Sequence, residues 1–307
     1  MMPTNNFQSS RFVRRTLLWL IWLACMPGWA QDKPTMTWWQ YHLPPGTILV
    51  DDKPSNGILD VKLLQIIANW PEVNHVFMRA PPARIYSELA ASNYKACYNS
   101  AIFTPERENQ FYMSALQLLA PMGVVAKPAI LHKLAKNAQG EVLPGALFDR
   151  TDIVGVINPG RSYSALLDAL LSLRKPEARI TMVTASHSGE NLMRMIGAGR
   201  ADYTLEYGAV LEYLKTTEPS VKDAGLQFAP VAGMQLIRAG IACPRNAWGY
   251  AAINKIDAII TKLAPSPEFQ QQSSPWFSAG ERASMKPALD AFYKARARRG
   301  TAYQARH

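Results

Sequence analysis

The chain has 307 residues, 48% of them apolar, and a formal net charge of +10 at neutral pH. That length supports one large domain or two lobes of ordinary size, and the apolar content excludes a disordered chain. The basic balance would suit nucleic acid, but the cationic residues are spread out and the one cluster, Lys294 to Arg299 (KARARR), reads as a solvated helix end. With no aromatic and basic platform, nucleic acid is excluded as a partner.

In chain order the first feature is a secretory signal over residues 1–30. Arg11, Arg14 and Arg15 precede the apolar run Thr16 to Met26, and Gly28-Trp29-Ala30 offers small residues for cleavage after Ala30. The run is too short for the roughly 20 residues of a membrane span. An exported chain keeps Cys97 and Cys243 in an oxidising compartment, where they are either bonded or two buried free thiols.

Met36 to His42 (MTWWQYH) has aromatic strand character and stops at Pro44-Pro45-Gly46. Ile58 to Trp70 carries Leu59, Leu63, Ile66, Ile67 and Trp70 on one helical face. A strand at His75 to Arg79, a helix at Ala83 to Ala91 and a strand around Ala96 to Asn99 follow. This alternation predicts a mainly parallel sheet flanked by helices. The pattern restarts after a Gly-, Pro- and Lys-rich loop near 127–150. Strands are expected at Asp152 to Ile157, Arg179 to Thr184 and Ala201 to Glu206, with helices at Tyr163 to Leu173 and Gly189 to Gly197. Gly233 to Cys243 then reads as a strand returning to the first sheet, followed by a helix at Trp248 to Leu263.

Catalytic and cofactor motifs are missing. There is no G-x-S-x-G, P-loop or H-E-x-x-H; Gly197-Ala198-Gly199 lacks the third glycine of a dinucleotide fingerprint, and His187-x-x-Glu190 lacks a third metal ligand. No metal or cofactor is therefore expected.

Three features suit a small-molecule site instead. Thr104 is a good helix cap and Pro105 a good first residue, but Arg107 on that first turn opposes the helix dipole. Either an anion accepts its fork, or it pairs at the surface with Glu106 or Glu108. Pro159 to Tyr163 (PGRSY) leads from a strand into a helix and places Ser162 beside free N–H groups, as a ligand nest or as an ordinary cap. Trp39 and Tyr41 share one face of the first strand, opposite Trp38, so one set is core and the other lines a cleft.

These residues, in this order, resemble bacterial extracellular solute-binding proteins of family 3, including polar amino-acid receptors. The landmarks are Pro44-Pro45, Gly57 with Asp60, SAIFTPER at Ser100 to Arg107, Phe111 to Ser114, Val154-Gly155-Val156, Gly160-Arg161-Ser162, and GRADY at Gly199 to Tyr203. The resemblance implies an α/β, two-lobed type II periplasmic binding fold with two hinge crossings. Lobe 1 would span 31–124 and 232–307, and lobe 2 would span 125–231. It implies that Arg107 clamps a ligand carboxylate, with Ser100 and Ser162 adding polar contacts and Trp39 and Tyr41 lining the cleft. Tyr207 stands where the family has an ammonium-binding carboxylate, with Glu206 one residue away and turned aside by strand alternation. Because the returning strand of that fold lies beside the one carrying Cys97, the resemblance also implies a Cys97–Cys243 disulfide.

The expected function is a non-enzymatic, monomeric periplasmic protein that closes on a small polar, carboxylate-bearing solute and works with an ABC permease. A sensing subunit for a membrane signalling protein is the alternative. An enzyme on this fold ranks below both, with Glu206 as its one candidate carboxylate.

Overall fold

The computed structural model describes Met1 and residues 33–91, 94–159, 161–184 and 189–298. The expected signal segment and its cleavage after Ala30 lie outside the described residues, as do Gly160, His187 and Arg299.

The first sheet begins with β1 (Thr35–Gln40), followed by the short pair β2 (Leu49–Val50) and β3 (Lys53–Pro54) and by α1 (Asp60–Ala68). Next come β4 (Asn74–Arg79), α2 (Pro82–Ala91), β5 (Ala96–Ile102), α3 (Pro105–Gln110) and β6 (Phe111–Leu119). The chain then crosses into a second sheet. There the order is β7 (Met122–Ala126), α4 (Pro128–Leu131), α5 (Pro144–Phe148), β8 (Gly155–Ile157), α6 (Ala165–Ser172), β9 (Ile180–Met182) and α7 (Glu190–Gly197). It continues with β10 (Tyr203–Tyr207), α8 (Gly208–Thr217), α9 (Pro219–Asp223) and β11 (Gln227–Ala229). A second crossing leads to β12 (Ile237–Pro244), α10 (Ala247–Leu263), α11 (Pro267–Gln271), a 3-10 turn (Ser274–Trp276) and α12 (Ala279–Arg298).

The first sheet has strand order β4-β1-β5-β12-β6 and the second β11-β7-β10-β8-β9. Each is parallel through three strands, β4-β1-β5 and β10-β8-β9; the others run antiparallel to their neighbours. The returning strand β12 slots between β5 and β6. The Cys97–Cys243 disulfide joins β5 to β12, as the resemblance implied.

Helices cover both faces of the first sheet, which settles the two tryptophans. Trp38 packs into one core with Leu63, Ile66, Ile253 and Ile256, and Trp39 into the other with Ile85, Leu89 and Phe111. The expected division into a core face and a cleft face fails for this pair, because a parallel strand inside an α/β layer is buried on both sides. Trp38 donates its indole N–H to His75 Nδ1 at 3.0 Å. The ring's other nitrogen, Nε2, therefore carries the proton and donates to the Trp70 carbonyl at 2.9 Å.

Helix starts follow their capping chemistry. Thr104 accepts the Arg107 N–H at 3.2 Å and Asn246 accepts the Gly249 N–H at 2.7 Å. The basic tail departs from a solvated helix end: Arg296 is buried and donates to Asp257 at 2.7 Å and to Ser114 Oγ at 3.1 Å. This network docks α12 against α10 and β6. Among the described residues no helix is long and apolar enough to cross a membrane.

Candidate functional site

One cavity of about 410 Å³ lies between the two sheets and is lined from both. The first sheet contributes Tyr41 just beyond β1, the loop through Pro45 and Thr47, and Tyr98, Ser100 and Ile102 on β5. The second contributes Asn158, Arg161 and Ser162 beyond β8, and Glu206 and Tyr207 at the end of β10. These groups sit at or beyond the carboxyl ends of parallel strands, where strand-to-helix turns bring exposed N–H groups and side chains together. Leu119, Ala120 and Met122 line it at the first crossing, and Phe277 reaches it from the C-terminal segment.

That segment touches both lobes. Trp276 donates its indole N–H to the Asn56 carbonyl at 2.7 Å, and its ring lies 5.7 Å from that of Tyr213 on α8.

Of the expected site residues, Tyr41, Ser100, Ser162, Glu206 and Tyr207 line the cavity, whereas Trp39 and Arg107 do not. Trp39 is core. The Arg107 guanidinium, on α3, donates to the carbonyl of Ile102 at the end of β5 at 2.9 Å and lies 4.4 Å from the centre of the Tyr86 ring. Tyr86 in turn meets Tyr98 edge-on at 5.7 Å, so Arg107 sits one aromatic ring behind the wall. Burial raises the Tyr98 phenol well above its ordinary range, and the nearby Arg107 only partly opposes that.

Among the described lining residues the cationic group is Arg161. It donates Nη1 to Glu206 Oε2 at 2.5 Å and Nη2 to Glu206 Oε1 at 2.6 Å, a bidentate pair. Burial alone would lower the Arg161 guanidinium, but the hydrogen bonds and charge of Glu206 leave it above its ordinary value. The carboxylate is 1% exposed and also accepts the Tyr207 N–H at 2.9 Å. Gly189 closes over it with φ of 62°; a Cβ there would meet Glu206 Oε2 at 2.5 Å. The expectation that alternation turns Glu206 away from the side faced by Tyr207 is corrected. Both line the cavity, because Tyr207 ends β10 and caps α8, where the two-residue alternation stops.

The remaining polar lining is also engaged. Thr47 and Ser100 share a hydroxyl–hydroxyl bond of 2.6 Å, and Ser162 donates to Asp168 at 2.5 Å. Beneath the first-lobe wall, Asp60 accepts the N–H groups of Ile48 at 2.6 Å and Gly57 at 3.3 Å. Burial outweighs those bonds and raises its carboxyl to about 6. Among the described residues no three His, Cys, Asp or Glu side chains gather as a metal-holding group.

No family model and no curated protein matches the chain. Solved structures do. The probable amino-acid ABC transporter extracellular-binding protein ytmK of Bacillus subtilis aligns over 81% of this chain and 100% of its own, with TM-score 0.61 and 11% identity. The chain has the two-lobed type II periplasmic binding fold. That fold is shared with the L-cystine solute receptor of Neisseria gonorrhoeae in its unliganded open conformation, at TM-score 0.54 and 19% identity over 80% of this chain and 94% of that one. It is shared too with an ancestral arginine-binding protein, at TM-score 0.53 and 17% identity over 80% and 98%.

Within the type II fold, sequence reasoning missed Arg161 as the partner of Glu206, and Phe277. The arginine had a visible signal, a cation in a strand-to-helix turn next to Ser162. Phe277 had none, since its place depends on how the C-terminal segment returns.

Proposed function

We propose that this chain is a non-enzymatic solute-binding protein that acts outside the cytoplasm, closes its two lobes on a small solute and delivers it to a membrane permease. The observation that carries this reading is the cavity of about 410 Å³ bounded by both lobes, at the carboxyl ends of their parallel strands. Likeness in fold to amino-acid receptors supports it. Arg161, Tyr41, Ser100, Ser162 and Tyr207 are its polar contacts. Arg107 supports the wall from behind, so a carboxylate clamp at that residue is not part of the proposal. Glu206 gives both oxygens to Arg161 and has no role as a catalytic acid or base here.

The test is calorimetric titration of the purified protein with a panel of small metabolites, alongside Ile102→Trp, which fills the cavity. Saturable binding by the wild type, lost in a variant whose circular dichroism is unchanged, is the expected result. Binding that survives Ile102→Trp would move the site elsewhere.

A further inference from the structure

We infer that the cleft selects an uncharged solute with an apolar body and one hydrogen-bond-accepting end, such as an amide or ester carbonyl, over a carboxylate or an amino acid. The inference rests on the solute-binding reading above and names the chemistry of that same site.

Charge is the first argument. Among the described lining residues Arg161 and Glu206 are the only acid and base, and each neutralises the other through two hydrogen bonds. An entering carboxylate that uses the remaining N–H groups sets a second negative charge beside Glu206 on one guanidinium, and one that takes the paired N–H groups displaces Glu206 from Arg161. Displacement strands an almost fully buried carboxylate with its second oxygen walled in by Gly189, and leaving one partner of a buried pair uncompensated is strongly unfavourable. A zwitterion meets the same demand at its carboxylate, and its ammonium meets a Glu206 whose two oxygens are already held by Arg161. The other arginine near the wall, Arg107, is held by Ile102 and Tyr86 and lies outside the lining.

Lining chemistry is the second argument. Thr47 with Ser100, and Ser162 with Asp168, are already bonded to one another. Around them stand Leu43, Ile58, Ile102, Leu119, Met122 and Phe277, drawn from both sheets, the crossing and the C-terminal segment. An apolar body replaces water against these side chains at a gain that scales with the area covered. A guanidinium carries five N–H groups, and Arg161 gives two of them to Glu206. A neutral carbonyl therefore approaches Arg161 without removing the carboxylate.

The experiment uses three probes with one carbon frame: 4-phenylbutanamide, 4-phenylbutanoate and the zwitterion 2-amino-4-phenylbutanoate. Affinities are read by ligand-observed NMR and calorimetry on the full mature chain. The amide is expected to bind at least tenfold more tightly than either charged probe, and Ile102→Trp to abolish its binding. Glu206→Gln, which frees the Arg161 charge, is expected to reverse the order in favour of 4-phenylbutanoate. A wild-type protein that binds either charged probe as tightly as the amide overturns this inference and leaves the solute-binding reading standing. No binding of any probe counts against both.

Discussion

The two walls of the cleft carry similar chemical groups in opposite arrangements. Each has an arginine at a strand-to-helix turn and a buried carboxylate nearby. On the second-lobe wall the two are joined, Arg161 to Glu206, inside the cavity. On the first-lobe wall they are apart. Arg107 is spent on a carbonyl and a tyrosine ring, and Asp60 is held under the wall by backbone N–H groups. An arginine's place in a motif therefore does not decide its role; the acceptor within reach does.

The largest effect expected from breaking this contrast is at Glu206. Glu206→Gln leaves the Arg161 charge uncompensated and is expected to cost about 3 kcal/mol of stability in urea unfolding. Adding Arg161→Met should restore most of that loss, and a double variant as unstable as the single one would show that the carboxylate matters for another reason.

Asp60 should respond to pH. Its folded-state pKa of about 6 lies above its ordinary 3.8. The folded state therefore holds the proton more tightly, and the resulting stability is fully present below about pH 4 and lost as pH rises through 6. The stability of the wild type relative to Asp60→Asn is expected to fall by on the order of 2 kcal/mol between pH 4 and 7. A difference that stays flat would place the titration elsewhere.

Arg107→Ala comes next. Loss of the ring contact and the Ile102 bond is expected to cost about 1 kcal/mol, with affinity for 4-phenylbutanamide changed less than twofold. A tenfold loss of affinity would put Arg107 in the site after all. The smallest effect belongs to Ser162→Ala, an exposed hydroxyl on the second wall, for which a stability change within about 0.5 kcal/mol is expected; a larger drop in thermal unfolding would mark its bond to Asp168 as structural.

Much of the fold was legible because apolar periodicity is a local signal. Leu63 and Ile66 on α1, and Ile253, Ile256 and Ile260 on α10, face the first core as their spacing requires. The cavity was legible where it follows from strand ends: Ser100, Ser162, Glu206 and Tyr207 all stand near them. What was not legible depended on distant partners. Arg161 meets a carboxylate 45 residues away in sequence. Whether Trp39 faced core or cleft turned on α2 covering that side of the sheet. The direction of Arg107 turned on Tyr86, which comes from that same helix.

The bond between Cys97 and Cys243 closes a loop of 146 residues, and all five strands of the second sheet lie within it. Joining chain ends so far apart removes loop-closure freedom from the unfolded chain worth roughly 5 kcal/mol. It also makes the second lobe a covalent ring hung from the first. A protease that nicks this ring leaves one molecule, both lobes still attached, until a reductant opens it into two pieces. A protein built this way tolerates a cut in its second lobe without losing it.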